Sequence, residues 1–138
     1  VETILEKEMP EDVEPTLVGD VQAEPLQPSY YAAIKEPLDK WMATDGYTRQ
    51  GLTIEELAGT LATNRTYLSS YIKSVYHVSF REWIAELRIE YAKQQLEKHP
   101  ELTISAISEA SGFLSLSYFT KIFSQKEGCS PAKWRKHI

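Results

Sequence analysis

The tripeptide Leu52-Thr53-Ile54 recurs as Leu102-Thr103-Ile104, fifty residues further on, and Val78-Ser79-Phe80 followed by Trp83 recurs as Cys129-Ser130-Pro131 followed by Trp134, fifty-one further on. Between these anchors Leu68, Tyr71 and Ile72 match Phe119, Ile122 and Phe123 at the offset of fifty-one. Two copies at a period longer than that of common solenoid units predict a tandem of two small domains rather than a stacked array.

Each copy has the same local grammar. Thr53 and Thr103 are N-caps, and Leu52 with Leu57, like Leu102 with Ile107, takes the N′ and N4 positions of a hydrophobic staple. Glu56 completes a capping box in the first copy, whereas Ala106 cannot do so in the second. A short helix over residues 54–60 or 104–110 is followed by a break of three or four residues. A longer helix then starts near Asn64 or Ser115, both good N-caps. Two helices joined by so short a turn, with Gly112 in the second turn, form a helix-turn-helix unit. Gly128 closes the last long helix, and Ser130-Pro131 supplies an N-cap followed by proline at the first helical position.

The stretch 80–98 joins the copies. At 100° per residue it carries two apolar stripes: Trp83, Ile84, Leu87 and Tyr91 lie within about 60° of Phe80, while Ala85, Ile89, Ala92 and Leu96 lie at about 120° to 180°. The first set comes early and the second late, so the helix reads as a strut whose beginning belongs to one core and whose end belongs to another. Glu82, Glu86, Glu90, Lys93 and Glu97 form its solvated face. Ser79 with Glu82 makes its capping box, and His99-Pro100 marks its end. Nineteen residues at helical rise span roughly 28 Å.

Upstream, Tyr30, Tyr31, Ile34, Leu38, Trp41 and Met42 recur at helical spacing from Ser29. Pro37 predicts a helix in two pieces or with a kink, ended by Asp45-Gly46. Residues 1–28 hold eight acids, one lysine and four prolines, and read as an acidic flexible linker or tail. The net charge of −5 divides into −7 for that leader and +2 for the remainder, so the body is weakly basic. The chain begins at Val1 without an initiator Met and reads as a piece of a longer protein. No stretch has the pattern of a membrane span or a signal peptide.

In the first long helix Leu68, Tyr71, Ile72 and Val75 make an apolar face, opposite Thr66, Ser69, Ser70 and Lys73. In the second, Phe119, Ile122 and Phe123 point inward and Ser117, Thr120, Lys121 and Ser124 outward. Short hydroxyls with one or two cations suit a major groove, and they equally suit water; only the place on the second helix of a helix-turn-helix favours the groove. At matching positions, Arg65 suits guanine or a phosphate, and Leu116 either contacts a thymine methyl or is partly buried.

The second copy carries the pattern Ile107, Gly112-Phe113, Tyr118-Phe119, Phe123, Gly128, Ser130-Pro131, Trp134-Arg135. At this spacing the region from Thr53 to Arg135 resembles the DNA-binding region of AraC-type (AraC/XylS) bacterial transcription regulators. Ala62 stands where that family has a turn glycine, Ser108 where it has a small alanine, and Ser124 where it often has a basic residue. The resemblance implies an all-α, homeodomain-like tandem: residues 29–79 and 99–138 as helix-turn-helix subdomains joined by a long linker helix over 80–98. It implies a sequence-specific regulator reading two adjacent major-groove segments. Base contacts fall to Arg65, Thr66, Ser69, Ser70, Leu116, Ser117, Thr120 and Lys121. Phosphate contacts fall to Asn64, Lys73, Arg81, Ser115, Ser124, Lys126, Lys133 and Arg135, and each of the cations is otherwise a solvated surface residue. Double-stranded DNA and RNA polymerase are the implied partners, with an upstream sensor domain outside this chain, no cofactor, no membrane contact and a cytoplasmic location.

Other chemistry is poorly supported. His77, His99 and His137 lack ligand spacing, and Cys129, paired with Val78 in the repeat, reads as a small core residue. Trp83 and Trp134 read as core, and Tyr67 and Tyr118 as packing at the edges of the reading faces. No nucleophile with its base, phosphate loop or carboxylate pair argues for an enzyme. The alternative to DNA reading is a helical protein-interaction module on the same fold, for which the acidic leader and low basicity argue.

Overall fold

The computed structural model describes residues 28–138; the acidic leader, Pro28 apart, lies outside the described residues. The described chain is helical: α1 (Pro28–Ala43), a short 3-10 turn (Gly46–Thr48), α2 (Ile54–Thr60), α3 (Arg65–Tyr76), α4 (Phe80–Lys98), α5 (Ile104–Ala110), α6 (Leu116–Glu127) and α7 (Pro131–Lys136). Among the described residues no helix is long and apolar enough to cross a membrane. Helix starts follow side-chain capping. Thr53, Asn64, Thr103, Ser115 and Ser130 each accept from the amide three residues on, and the reciprocal bonds of Ser79 with Glu82 open α4 at 3.1 and 3.2 Å.

By contacts these residues form two compact units, an N-terminal one of residues 28–46 and Leu52–Trp83, and a C-terminal one of Tyr47–Gly51 and Ile84–Ile138. The division falls inside α4, which runs unbroken for 19 residues.

In the N-terminal unit Ile34 and Leu38 of α1, Leu57 of α2, Leu68 and Ile72 of α3 and Phe80 and Trp83 of α4 are buried. Trp83 lies against Trp41 and Tyr76, with ring centroids 6.1 and 5.5 Å away. α1 is one helix with Pro37 inside it, not two pieces. The proline forfeits one backbone bond, a loss offset by the burial of Ile34 and Leu38 on either side of it. Val75 departs from the expected apolar face of α3: it is 41% exposed, in a last turn that also exposes Lys73 and Ser74.

In the C-terminal unit Ile89, Ala92 and Leu96 of α4 pack with Ile107, Phe113, Tyr118, Phe119 and Phe123, and Leu102, Ile104, Ile122 and Trp134 close the edges. This is the later of the two apolar stripes, gripping its own core. Tyr91, assigned to the earlier stripe, lies instead against Tyr47, 6.4 Å between ring centroids, within this unit.

The two turns share one bonding scheme. Leu61, Ala62 and Thr63 amides donate to Leu57, Gly59 and Ala58 carbonyls, as Ser111, Gly112 and Phe113 amides do to Ile107, Glu109 and Ser108. The N-cap follows Thr63 directly as Asn64, but follows Phe113 only after Leu114. Leu114 is therefore the residue that lengthens the repeat offset from fifty to fifty-one.

Candidate nucleic-acid interface

The second helix of each turn unit is held by its apolar side and presents a short-chain polar row on the other. Leu68, Tyr71 and Ile72 anchor α3, leaving Thr66 and Lys73 exposed and Ser69 half-buried. Tyr118, Phe119 and Phe123 anchor α6, leaving Ser117 and Lys121 exposed and Thr120 and Ser124 half-buried. These residues recur at intervals of three, four and seven, so each row lies on one helix face. Among the described residues neither Lys73 nor Lys121 makes an ion pair.

Several candidates from the sequence are otherwise engaged. The Ser70 hydroxyl accepts from Tyr30 at 3.2 Å and its carbonyl from Tyr31 at 3.4 Å, so Ser70 belongs to the packing of α1 on α3. Tyr30 also stacks on Tyr67, centroids 4.1 Å apart. The Arg65 guanidinium is paired with Glu55 of α2. Asn64 and Ser115 use their side-chain oxygens as helix caps, at 2.9 and 3.1 Å from the Tyr67 and Tyr118 amides. Lys126 bonds Glu86 of α4 at 3.2 Å. Arg81 is half-buried in the first turn of α4, and Lys133 is exposed on α7. Leu116 is 44% exposed at the start of α6.

Arg135 donates to the Leu96, Leu102 and His99 carbonyls at 3.4, 2.8 and 3.1 Å. Its fork closes the carbonyl end of α4, where a cation also opposes the negative end of the helix dipole. Lys93 bridges Glu127 and Glu90 at 3.2 and 3.3 Å. Burial lowers its pKa, but the bonds to those two carboxylates outweigh burial and hold the ammonium above its ordinary value.

Sequence reasoning missed Arg88. It is 1% exposed, its guanidinium donating to the Tyr47 and Arg49 carbonyls at 2.6 and 2.9 Å and lying 5.9 Å from the Phe113 ring centroid. Gln50 adds a bond to the Phe113 carbonyl at 2.8 Å. Residues 47–51 are thus strapped onto the turn that positions α6. No motif signals this; at about 80° on the α4 wheel Arg88 falls between the two apolar stripes. Among the described residues no group of three or more His, Cys, Asp or Glu side chains gathers as a metal site would.

A family model for a helix-turn-helix domain, of the AraC type, matches residues 57–137. The chain belongs to the AraC-type helix-turn-helix family. Two relatives illustrate the likeness. The virulence regulon transcriptional activator VirF of Yersinia enterocolitica is 35% identical over 101 residues, 73% of this chain and 36% of that protein. The uncharacterized HTH-type transcriptional regulator YobQ of Bacillus subtilis is 39% identical over 87 residues, 63% of this chain and 36% of that protein. The chain spans about a third of the length of the curated relatives it matches. Among solved AraC-type folds, the C-terminal domain of AraT, a response regulator from Geobacillus stearothermophilus, superposes with a TM-score of 0.67 at 27% identity, covering 83% of this chain and 89% of that one. The DNA-binding domain of AdpA, solved in complex with a target DNA, gives 0.65 at 22% identity over 73% of this chain and 91% of that one, a likeness of fold alone.

Proposed function

We propose that this chain is the sequence-specific DNA-binding output of a transcription regulator, with α3 and α6 each entering a major-groove segment. The observation that carries the reading is the pair of polar rows on the second helix of each turn unit, Thr66, Ser69 and Lys73 on α3 and Ser117, Thr120, Lys121 and Ser124 on α6. Hydroxyls and a lysine at that place meet base edges and phosphates without keeping the helix out of the groove. Leu116 joins the base-reading set, and Arg65 does so only by giving up Glu55. Lys73, Arg81, Lys126 and Lys133 serve phosphates, Lys126 in exchange for Glu86, while the side-chain amide hydrogens of Asn64 and the hydroxyl proton of Ser115 serve the backbone of the duplex. Ser70 and Arg135 act as framework.

The division of labour that goes with this reading is residues 29–79 and 99–138 as two bodies and 80–98 as connector, with Tyr47–Gly51 serving the second body. Double-stranded DNA and RNA polymerase are the partners, an upstream sensor completes the regulator, and the setting is the bacterial cytoplasm. A protein-interaction role for the same surfaces is the second reading, favoured by exposed Tyr67 and Val75 on α3 and by the low basicity of the body. Measured on a duplex enriched by this chain from a random pool, Lys121→Ala weakens binding several-fold more than Lys98→Ala. Equal losses rule out the assigned orientation of α6.

A further inference from the structure

Arg65 opens α3 with its guanidinium on the Glu55 carboxylate of α2, both within the N-terminal unit. Folding does not need this pair. The two side chains are 36% and 53% exposed, and an ion pair in that setting adds little to stability. The start of α2 is closed without Glu55, by the reciprocal bonds of Thr53 and Glu56 at 3.1 and 3.3 Å. The second copy builds the same turn, with the same three backbone bonds, and has neither partner: Ser105 stands where Glu55 stands, and Leu116 where Arg65 stands. Carboxylate and guanidinium are present together in one copy and absent together from the other, which marks them as a single device of the first unit.

We propose that Glu55 restrains DNA binding by the first unit, its carboxylate holding the Arg65 guanidinium in the place a phosphate of the duplex would take. This rests on the DNA-reading function above and adds to it a residue that works against the complex. A guanidinium fork donates the same pair of bonds to a carboxylate as to a phosphate, so the two anions compete for one donor set. Whatever Arg65 gains on a phosphate, in duplex of any sequence, is reduced by what it gives up on Glu55. Random duplex therefore meets Lys73 and the hydroxyls of α3 with little help from the arginine beside them, and the affinity of the first unit for it is held down.

The test is a titration of random-sequence duplex at low salt with the wild-type chain, Glu55→Gln, Arg65→Gln and the double variant, their folds compared by circular dichroism and urea midpoint. Glu55→Gln removes the charge and keeps the shape of the side chain. It tightens binding roughly two- to fivefold, the worth of an exposed ion pair, and the greater part of that gain is lost when Arg65 is also replaced. Unchanged or weakened binding by Glu55→Gln overturns the proposal while leaving DNA reading intact. So does a gain kept for the greater part in the Arg65→Gln background, which assigns it to the lost negative charge rather than to a released arginine. A wild-type chain that binds no duplex at low salt removes the DNA-reading function and this proposal together.

Discussion

The Nε of Arg88 lies 2.6 Å from the carbonyl oxygen of Tyr47. This is a charged donor, 1% exposed, that holds a five-residue strap. Arg88→Met removes that bond and the one to Arg49 and leaves two part-buried carbonyls without their donor. The expected cost is about 3 kcal/mol. Arg88→Lys keeps the charge but not the planar fork and recovers only part of the loss. Amide exchange in α5 to α7 reads both; wild-type protection in Arg88→Met would show that the strap contributes nothing.

Among the described residues six adopt left-handed backbone, and three of them, Asp45, Ala62 and His77, are not glycine. Ala62 has φ of 58° and is exposed, whereas Gly112, its counterpart, has φ of 105° and is buried. A Cβ on Gly112 would lie 2.8 Å from the Thr48 carbonyl oxygen, a backbone atom that cannot step aside. A Cβ on Gly128 would meet nothing within 4 Å. Gly112→Ala is expected to cost about 3 kcal/mol or more and Gly128→Ala about 1 kcal/mol, while Ala62→Gly stabilises by up to about 1 kcal/mol. Urea midpoints for the three variants check the order. Destabilisation by Ala62→Gly would contradict the backbone account of the first turn.

Burial raises the pKa of the Tyr71 and Tyr76 phenols, with the Asp39 carboxylate adding to it. A raised phenol pKa means that the neutral form is favoured by folding. That stability is complete below the unfolded value of about 10 and is lost as pH climbs through the folded values. The N-terminal unit should therefore lose stability in alkali, and Tyr71→Phe should flatten the loss. Following unfolding between pH 8 and 12 tests this, and an unchanged pH slope in Tyr71→Phe counts against it.

The helix framework was legible because its signals are local. Thr53, Asn64, Ser79, Thr103, Ser115 and Ser130 announce their helices in the residue types themselves, and each is found capping. The stripe of Ile89, Ala92 and Leu96 was legible for the same reason, since the period fixes the face. What escaped depends on contacts far apart in sequence. Arg88 meets Tyr47 forty-one residues away, Ser70 meets Tyr30 forty away, and Arg135 reaches Leu96 thirty-nine away. A cation or a hydroxyl gives no hint in sequence whether it faces water, DNA or a carbonyl. Tyr91 was misassigned because its partner, Tyr47, lies in a segment with no periodicity of its own.

The central claim is that the two polar rows meet DNA, and the direct measurement is a fluorescence titration of the chain against random-sequence duplex while salt is varied. With Lys73, Arg81, Lys121, Lys126 and Lys133 as the cations that reach phosphates, binding at low salt should be measurable in the micromolar range. Its logarithm should fall with log salt at a slope of roughly −4 to −5. No binding at low salt, or binding indifferent to salt, would contradict the account and favour the protein-interaction reading.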